Sequence, residues 1–153
     1  MLQKIVWFGL AGAFGSLSRA TLTRLVQARI YSEFPLGTLT VNALGCFMFG
    51  VIWALGEEGS LPSDELRLAV LVGFLGAFTT FSTFSFEAGM LLRSAQWWWA
   101  AGYLLLSNIA GVVLALAGMT LVRVFYRGAR QAGPLARLFA TAEEISLQGR
   151  ESG

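Results

Sequence analysis

The sequence between Gly73 and Glu87 reads GFLGAFTTFSTFSFE, and it lies midway along an apolar segment long enough to cross a membrane. Its glycine, β-branched, hydroxyl and aromatic residues form helices less readily than the leucine and alanine around them. In lipid, a backbone group without a partner is costly, so irregular backbone survives only inside protein or beside water. Two interpretations follow. Either the helix breaks here and its free backbone groups form an ion site, or it continues and its small residues pack closely against a neighbour.

The composition around this stretch is that of a membrane protein, because 56% of the 153 residues are hydrophobic and 13% are charged. A membrane-spanning helix needs about 20 mostly apolar residues. Four windows meet that requirement: Lys4–Leu25, Gly37–Leu55, Leu66–Leu92 and Trp97–Phe125. We therefore predict one all-α integral membrane domain with four transmembrane helices over residues 1–127. A polar C-terminal tail, residues 128–153, is predicted to be either disordered or a helix on the membrane surface.

Residue content excludes several kinds of function. The chain has no histidine, which excludes imidazole catalysis and histidine-ligated metals. Its single cysteine, Cys46, lies within the second span and is interpreted as a packing residue. The formal net charge of +2 is small and spread over loops and tail, so nucleic acid binding is not indicated.

Polar residues follow one face of the second and of the fourth helix. Thr38 and Asn42 are four residues apart and share a face. The Asn42 amide is expected either to bridge helices or to offer its NH₂ group to an anion. In the fourth helix, Tyr103, Ser107 and Gly111 recur every four residues and make a narrow face that starts polar and turns small.

An arginine and two phenylalanines complete the candidate site. Arg19, within the first span, must face a partner or water, so it either attracts an anion or reaches the headgroups. Phe81 and Phe84 are three residues apart, and the edge of a phenyl ring is positive, so two edges can contact a small anion. The alternative for each ring is core or lipid contact. Neutral donors and ring edges suit an anion that must bind and then leave.

Three segments resemble one known family, the Fluc (CrcB) fluoride channels. They are GTLTVN (Gly37–Asn42), GFLGAFTTFSTF (Gly73–Phe84) and the glycine-rich first helix, Gly9–Arg19. The resemblance covers roughly residues 4–127. It implies an antiparallel dual-topology homodimer with two fluoride pores along the subunit interface, and with the third helix broken at its centre.

The resemblance also implies roles for individual residues. The candidate fluoride-pore residues are Asn42, Phe81, Phe84, Ser82, Thr83, Tyr103, Ser107, Thr38 and Arg19. The backbone carbonyls of Gly76 and Thr79, with those of the second subunit, would bind a structural Na⁺ at the dimer centre. One departure concerns Gly111, which stands where some relatives carry another hydroxyl.

The function expected from these features is passive export of fluoride from a bacterial cytoplasm through a multi-pass protein of the inner membrane, with no reaction catalysed. The expected partners are fluoride, a second copy of the chain and membrane lipid. Two alternatives are a proton-coupled small multidrug exporter and a non-transporting membrane assembly subunit. The exporter needs a membrane-embedded carboxylate, and Glu87 is the only acidic residue deep within a span.

Overall fold

The computed structural model describes the backbone of residues 2–29 and 34–151, and the side chains of residues 4–29 and 34–128. Every regular element in these ranges is helical. The elements are α1 (Leu2–Arg29), α2 (Leu36–Glu57), α3 (Asp64–Leu68), a π-helical segment (Ala69–Leu75), α4 (Gly76–Phe78), α5 (Phe81–Arg93) and α6 (Trp97–Glu151).

Four stretches are long and apolar enough to cross a membrane. They are Lys4–Arg29, Leu36–Glu57, Asp64–Arg93 and Trp97–Gly128. The prediction of an all-α protein with four spans is confirmed. The third span is built from α3, the π-helical segment, α4 and α5. Many large apolar side chains face outward, among them Trp98, which is 90% exposed. Such exposure is what a lipid-facing surface requires.

The third span is interrupted at its centre, as the sequence predicts. Helix α4 ends at Phe78, and Thr79 (φ −83°, ψ 157°) and Thr80 (φ −147°, ψ 115°) are extended. Helix α5 then begins at Phe81, and the hydroxyl of Thr80 caps it by accepting a hydrogen bond from the Thr83 N–H at 3.2 Å. A continuous helix through this stretch, the second interpretation, is wrong.

Two clusters of buried apolar side chains lie on either side of the interruption. The cluster before it consists of Val41, Leu71, Leu75 and Phe78. The cluster after it consists of Phe84, Ala88, Leu91, Ala100 and Tyr103. Each half of the third span is therefore anchored by its own core, which fixes the position of the extended residues between them.

Small residues of α1 contact the π-helical segment. A Cβ added at Gly15 would collide with the backbone carbonyl of Phe74, and one at Gly73 would lie 3.0 Å from the Cβ of Ala11. Gly9, in contrast, has no atom within 4 Å of an added Cβ. The glycine face of the first helix therefore permits close packing, as predicted, although not along its whole length.

Helices α2 and α6, the second and fourth spans, run in the same direction and pack backbone to backbone. A Cβ at Gly50 would collide with the carbonyl oxygen of Ala115, and a Cβ at Gly118 would collide with the carbonyl oxygen of Phe47. Each helix thus presents a glycine to the backbone of the other. This reciprocal contact fixes their register.

The loops at one membrane face carry ion pairs that the sequence did not predict. Glu57 pairs with Arg123 at 2.9 Å and Glu65 pairs with Lys4 at 2.6 Å, and all four side chains stay partly exposed. At the other face, residues 92–96 form a tight turn. The Gln96 N–H donates to the Leu91 carbonyl at 2.9 Å.

Helix α6 continues without interruption to Glu151. The backbone of the predicted tail is therefore helical up to that residue. The division at residue 128 stays a prediction, and residues 152–153 lie outside the described part of the chain.

Substituting Gly50 tests the backbone contact between α2 and α6. In a helix alanine is about 1 kcal/mol more favourable than glycine. Gly102→Ala should therefore preserve or raise the thermal unfolding midpoint in detergent, since nothing lies within 4 Å of its added Cβ. Gly50→Ala should lower the midpoint, because forcing atoms into a packed site costs about 1–3 kcal/mol. Equal midpoints for both variants would contradict the close contact.

Candidate functional site

The side chain of Asn42 holds the interrupted backbone of the third span. Its Oδ1 accepts a hydrogen bond from the Thr80 N–H at 2.8 Å, and its Nδ2 donates to the Thr80 carbonyl at 3.1 Å. Thr80 is only 8% exposed, so without this partner two backbone groups would be buried unpaired. Asn42 thus bridges helices, which is the first of its two predicted roles. An amide NH₂ has two hydrogens, and the second is available to a ligand.

The Gly76 carbonyl is affected by the same pair of bonds. In a continuous helix the Thr80 N–H would donate to the carbonyl of Gly76, but here it donates to Asn42. Gly76 is exposed, and the atom nearest to an added Cβ is the Leu71 carbonyl oxygen at 3.9 Å. The hydroxyl and N–H of Thr79 both donate to the Leu75 carbonyl at 2.9 Å. The Gly76 carbonyl therefore lies at the surface, released from its helical donor.

Ser82 and Thr83 gather around the side chain of Thr80. The Thr80 hydroxyl donates to the hydroxyl of Thr83 at 3.0 Å and lies 3.3 Å from that of Ser82. Both residues are on the exposed side of α5. The structure thus brings these two predicted pore residues together with the cap of α5, apart from the other candidates.

An open groove of about 310 Å³ lies where α2, α5 and α6 meet at the interruption. Its lining consists of Asn42, Cys46, Thr80, Phe81, Phe84, Ser107, Asn108, Gly111 and Val112. Four of the residues predicted from sequence are therefore assembled here: Asn42, Phe81, Phe84 and Ser107. The lining carries no charged side chain.

The two phenylalanine rings differ in their surroundings. Their centroids are 5.9 Å apart with an interplanar angle of 49°. Phe84 is 7% exposed and packs against Tyr103 with centroids 5.1 Å apart. Phe81 is 79% exposed and lies at the surface of the protein. One ring is thus fixed in the core, and the other faces outward beside the groove.

The hydroxyl of Ser107 has no partner. Its oxygen is buried, yet no atom of the described residues hydrogen-bonds to it. Because buried polar groups are nearly always hydrogen-bonded, each exception calls for an unseen ligand or water. Ser107 therefore supplies a free donor to the groove.

Thr38 and Tyr103 converge on the carboxylate of Glu87. The Thr38 hydroxyl donates to Oε1 at 2.8 Å, and the Tyr103 hydroxyl donates to Oε2 at 2.7 Å. Thr38 and Glu87 also line a second cavity, of about 400 Å³. Sequence reasoning gave Glu87 no role, although its position as the one acidic residue deep in a span was a signal that could have found this cluster.

The polar residues of α2 and α6 lie side by side in pairs, and successive pairs are one helical turn apart. The pairs are Thr38 with Tyr103, Asn42 with Ser107, and Cys46 with Gly111. The shared Glu87 joins the first pair, the groove contains the second, and a Cβ at Gly111 would lie 3.4 Å from the Cys46 sulfur. The two predicted polar faces are thus one layered strip, in the register that the glycine contacts set.

Arg19 stands apart from this strip. It is half-buried on α1, and it is absent from the lining of both cavities described above. Its predicted role as a pore residue that attracts an anion stays a prediction.

Together, four apolar spans and an uncharged polar groove at a broken helix define a multi-pass integral membrane protein with a candidate site for a small polar ligand or ion. Residues 6–119 match the sequence model of the family described as CrcB-like protein, Camphor Resistance (CrcB). The chain belongs to this family.

Similar proteins carry the name "Fluoride-specific ion channel FluC". The one from Nitrosococcus oceani is 52% identical over 124 residues, which is 81% of this chain and 99% of that protein. The one from Desulforapulum autotrophicum is 48% identical with the same coverage. The one from Salinibacter ruber is 39% identical over 76% of this chain and 87% of its own length. These relatives are named as ion channels, which are not enzymes, and this chain is a multi-pass bacterial membrane protein.

Removing the Asn42 amide tests its hold on the third span. Asn42→Ala leaves the Thr80 N–H and carbonyl without partners, and a buried unsatisfied group costs about 1–3 kcal/mol. We expect a lower thermal midpoint and faster hydrogen exchange at Thr80. Asn108→Ala is the matched control, because that amide is exposed and donates only to Leu104 of its own helix. Unchanged exchange at Thr80 in the Asn42 variant would exclude this role.

Proposed function

We propose that this protein is a fluoride-selective channel through which F⁻ leaves the bacterial cytoplasm passively, relieving fluoride toxicity. The observation that carries the proposal is the groove, which brings Asn42, Phe81, Phe84 and the unpartnered Ser107 hydroxyl together without any charged side chain. The relatives named as fluoride-specific ion channels support fluoride as the ion.

The mechanism follows from the donors available in the groove. Fluoride is a small, strongly hydrated anion, so a selective pore must replace its water with closely placed donors. The Ser107 hydroxyl and the second amide hydrogen of Asn42 supply two, and the positive edges of Phe81 and Phe84 supply further contacts. Since no fixed cation lines the groove, the ion binds weakly enough to move on.

Glu87 takes a positioning role in this proposal. Its carboxylate accepts hydrogen bonds from Thr38 and Tyr103, and the Tyr103 ring packs against Phe84. The hydrogen bonds hold the tyrosine ring in place, and the ring in turn fixes one wall of the groove. Ser82, Thr83 and Arg19 are assigned to the approaches of the pore.

The working unit is proposed to be an antiparallel dual-topology homodimer. In a single chain the groove is open on one side, and Phe81 at its edge is 79% exposed. A second copy, inserted in the opposite orientation, would cover both features, and two such chains give two pores. The difference in basic charge between the two ends is slight, five residues against three, which supports insertion both ways. One end holds Lys4, Arg67, Arg123, Arg127 and Arg130, and the other holds Arg24, Arg29 and Arg93.

A structural Na⁺ is proposed between the two subunits, bound by the carbonyls of Gly76 and Thr79. The interruption fits such an ion, because the Thr80 N–H is diverted from the Gly76 carbonyl and Gly76 lies exposed. Carbonyls freed by a broken helix are suitable ligands for Na⁺. Among the described residues, no group of acidic, histidine or cysteine side chains could hold a metal, so a cation here would depend on backbone oxygens. When bound, the ion would neutralise the carbonyl dipoles that meet at the interface.

Anion efflux tests the function. Liposomes containing the purified protein should lose fluoride within seconds once the membrane potential that opposes anion efflux is dissipated. They should retain chloride. Ion-selective electrodes measure the release of each anion. Phe81→Ile and Phe84→Ile should each lower fluoride flux by about fivefold, because each removes one contact worth about 1 kcal/mol. Phe125→Ile is the matched control, since that ring is 72% exposed on α6 and packs beside Tyr126, outside the groove.

If fluoride and chloride left the liposomes at equal rates, or if neither anion left, the proposed selectivity would be overturned. Normal fluoride flux in both groove variants would leave the channel in place but exclude the ring-edge mechanism.

Two measurements test the dimer: its dependence on Na⁺, and the orientation of its chains in the membrane. Replacing Na⁺ with N-methylglucamine should shift the protein from dimer to monomer in light scattering, since an ion bound only by the dimer stabilises it. In spheroplasts, protease should remove about half of the C-terminal epitope tags, as mixed insertion requires. Complete removal or complete protection would exclude dual topology. A dimer indifferent to Na⁺ would exclude the central ion.

A further inference from the structure

We propose that the thiol of Cys46 is a further pore-lining donor, which contributes from α2 the polar hydrogen that α6 lacks at Gly111. This inference rests on the proposed function, because it assigns a determinant of conduction within the same groove. It changes the interpretation of Cys46, which the sequence indicated to be a packing residue.

The placement of Cys46 follows from the register of α2 and α6. Cys46 lies one turn beyond Asn42, and Gly111 lies one turn beyond Ser107. A Cβ at Gly111 would be 3.4 Å from the Cys46 sulfur, so the thiol fills the space beside the glycine. Cys46 is half-buried and lines the groove. The sulfur thus stands in the layer directly after the one that contains the Ser107 hydroxyl.

The lining residue beside Gly111 in this layer, Val112, is apolar and offers nothing to an anion. Asn108 lies one layer back, next to Ser107, and one of its amide hydrogens is donated to the Leu104 carbonyl at 2.7 Å. The Ser107 oxygen has no hydrogen-bond partner among the described residues, so its hydroxyl can bond a ligand or a water in the groove. An ion that leaves Ser107 along the strip next meets the Cys46 S–H. A thiol is a weak donor, which favours passage over retention.

Covalent modification of the thiol therefore blocks the groove. With methyl methanethiosulfonate, the Cys46 thiolate attacks the divalent sulfur of the S-methyl group, not the sulfonyl sulfur. A sulfur–sulfur bond forms, the bond to the sulfonyl group breaks, and methanesulfinate leaves with the electron pair. The thiol proton goes to solvent. The product has no S–H donor and carries an added S-methyl group in the groove.

The experiment compares each protein with itself before and after the reagent, in proteoliposomes that first show fluoride efflux with chloride retained. Cys46 is the only cysteine of the 153 residues, so the reaction has one target. We expect fluoride flux to fall about tenfold, the effect of losing one hydrogen bond at a narrow site. Dithiothreitol, which reduces the mixed disulfide, should restore it. The Cys46→Ser variant should show no response to either reagent.

Mass spectrometry on the same samples distinguishes the outcomes. A labelled protein with unchanged flux would overturn the proposal, and so would a conducting protein whose thiol stays unlabelled. Cys46→Val, which keeps a side chain of similar size without a donor, should also conduct poorly, and normal flux in it would contradict the role of the S–H. Absence of fluoride efflux before any treatment is a different result, because it would reject the proposed function itself.

Discussion

The structure depends on the pairing of one side-chain amide with one interrupted backbone. In a membrane the third span can be extended at Thr79 and Thr80 only if the exposed peptide groups find partners within the protein. Asn42 supplies a donor and an acceptor to Thr80 at once. The same two bonds release the Gly76 carbonyl, start α5 in its own direction and place Phe81 and Phe84 beside α6. Asn42 of the second span thus holds the interruption in place, together with the two apolar clusters on either side of it.

Where α2, α5 and α6 meet, the polar groups whose hydrogen bonds are made lie apart from those that keep a free donor. Hydroxyls that are fully used lie at the Glu87 carboxylate, where Thr38 and Tyr103 donate to it. Groups with donors to spare lie one turn further on, at Asn42 and Ser107. Buried networks with every member satisfied stiffen a protein. The Glu87 cluster is therefore a scaffold, and the groove beside it keeps the unsatisfied donors that an anion needs.

Sequence patterns predicted the features that depend on neighbours along the chain. Hydropathy located the four spans, and four-residue spacing located the polar faces of α2 and α6. Weak helix propensity identified Gly73–Glu87 as a candidate break, but it left a continuous helix equally possible and named no residue for the interruption. What could not be predicted depends on residues far apart in sequence. Neither the diversion of the Asn42 amide to the Thr80 backbone nor the convergence on Glu87 leaves a local pattern. The π-helical segment packs tightly against α1, and propensity does not encode that contact.

The glycine contacts between α2 and α6 have a consequence for biogenesis. Asn42 is synthesised before Thr80, so the hydrogen-bond partner of the interrupted backbone is already present when the third span inserts. The groove, however, needs the wall formed by Ser107 and Gly111, which belongs to the fourth span. The register of that wall is fixed only when Gly50 meets the backbone at Ala115. A nascent chain that has not yet inserted the fourth span therefore lacks one wall of the groove.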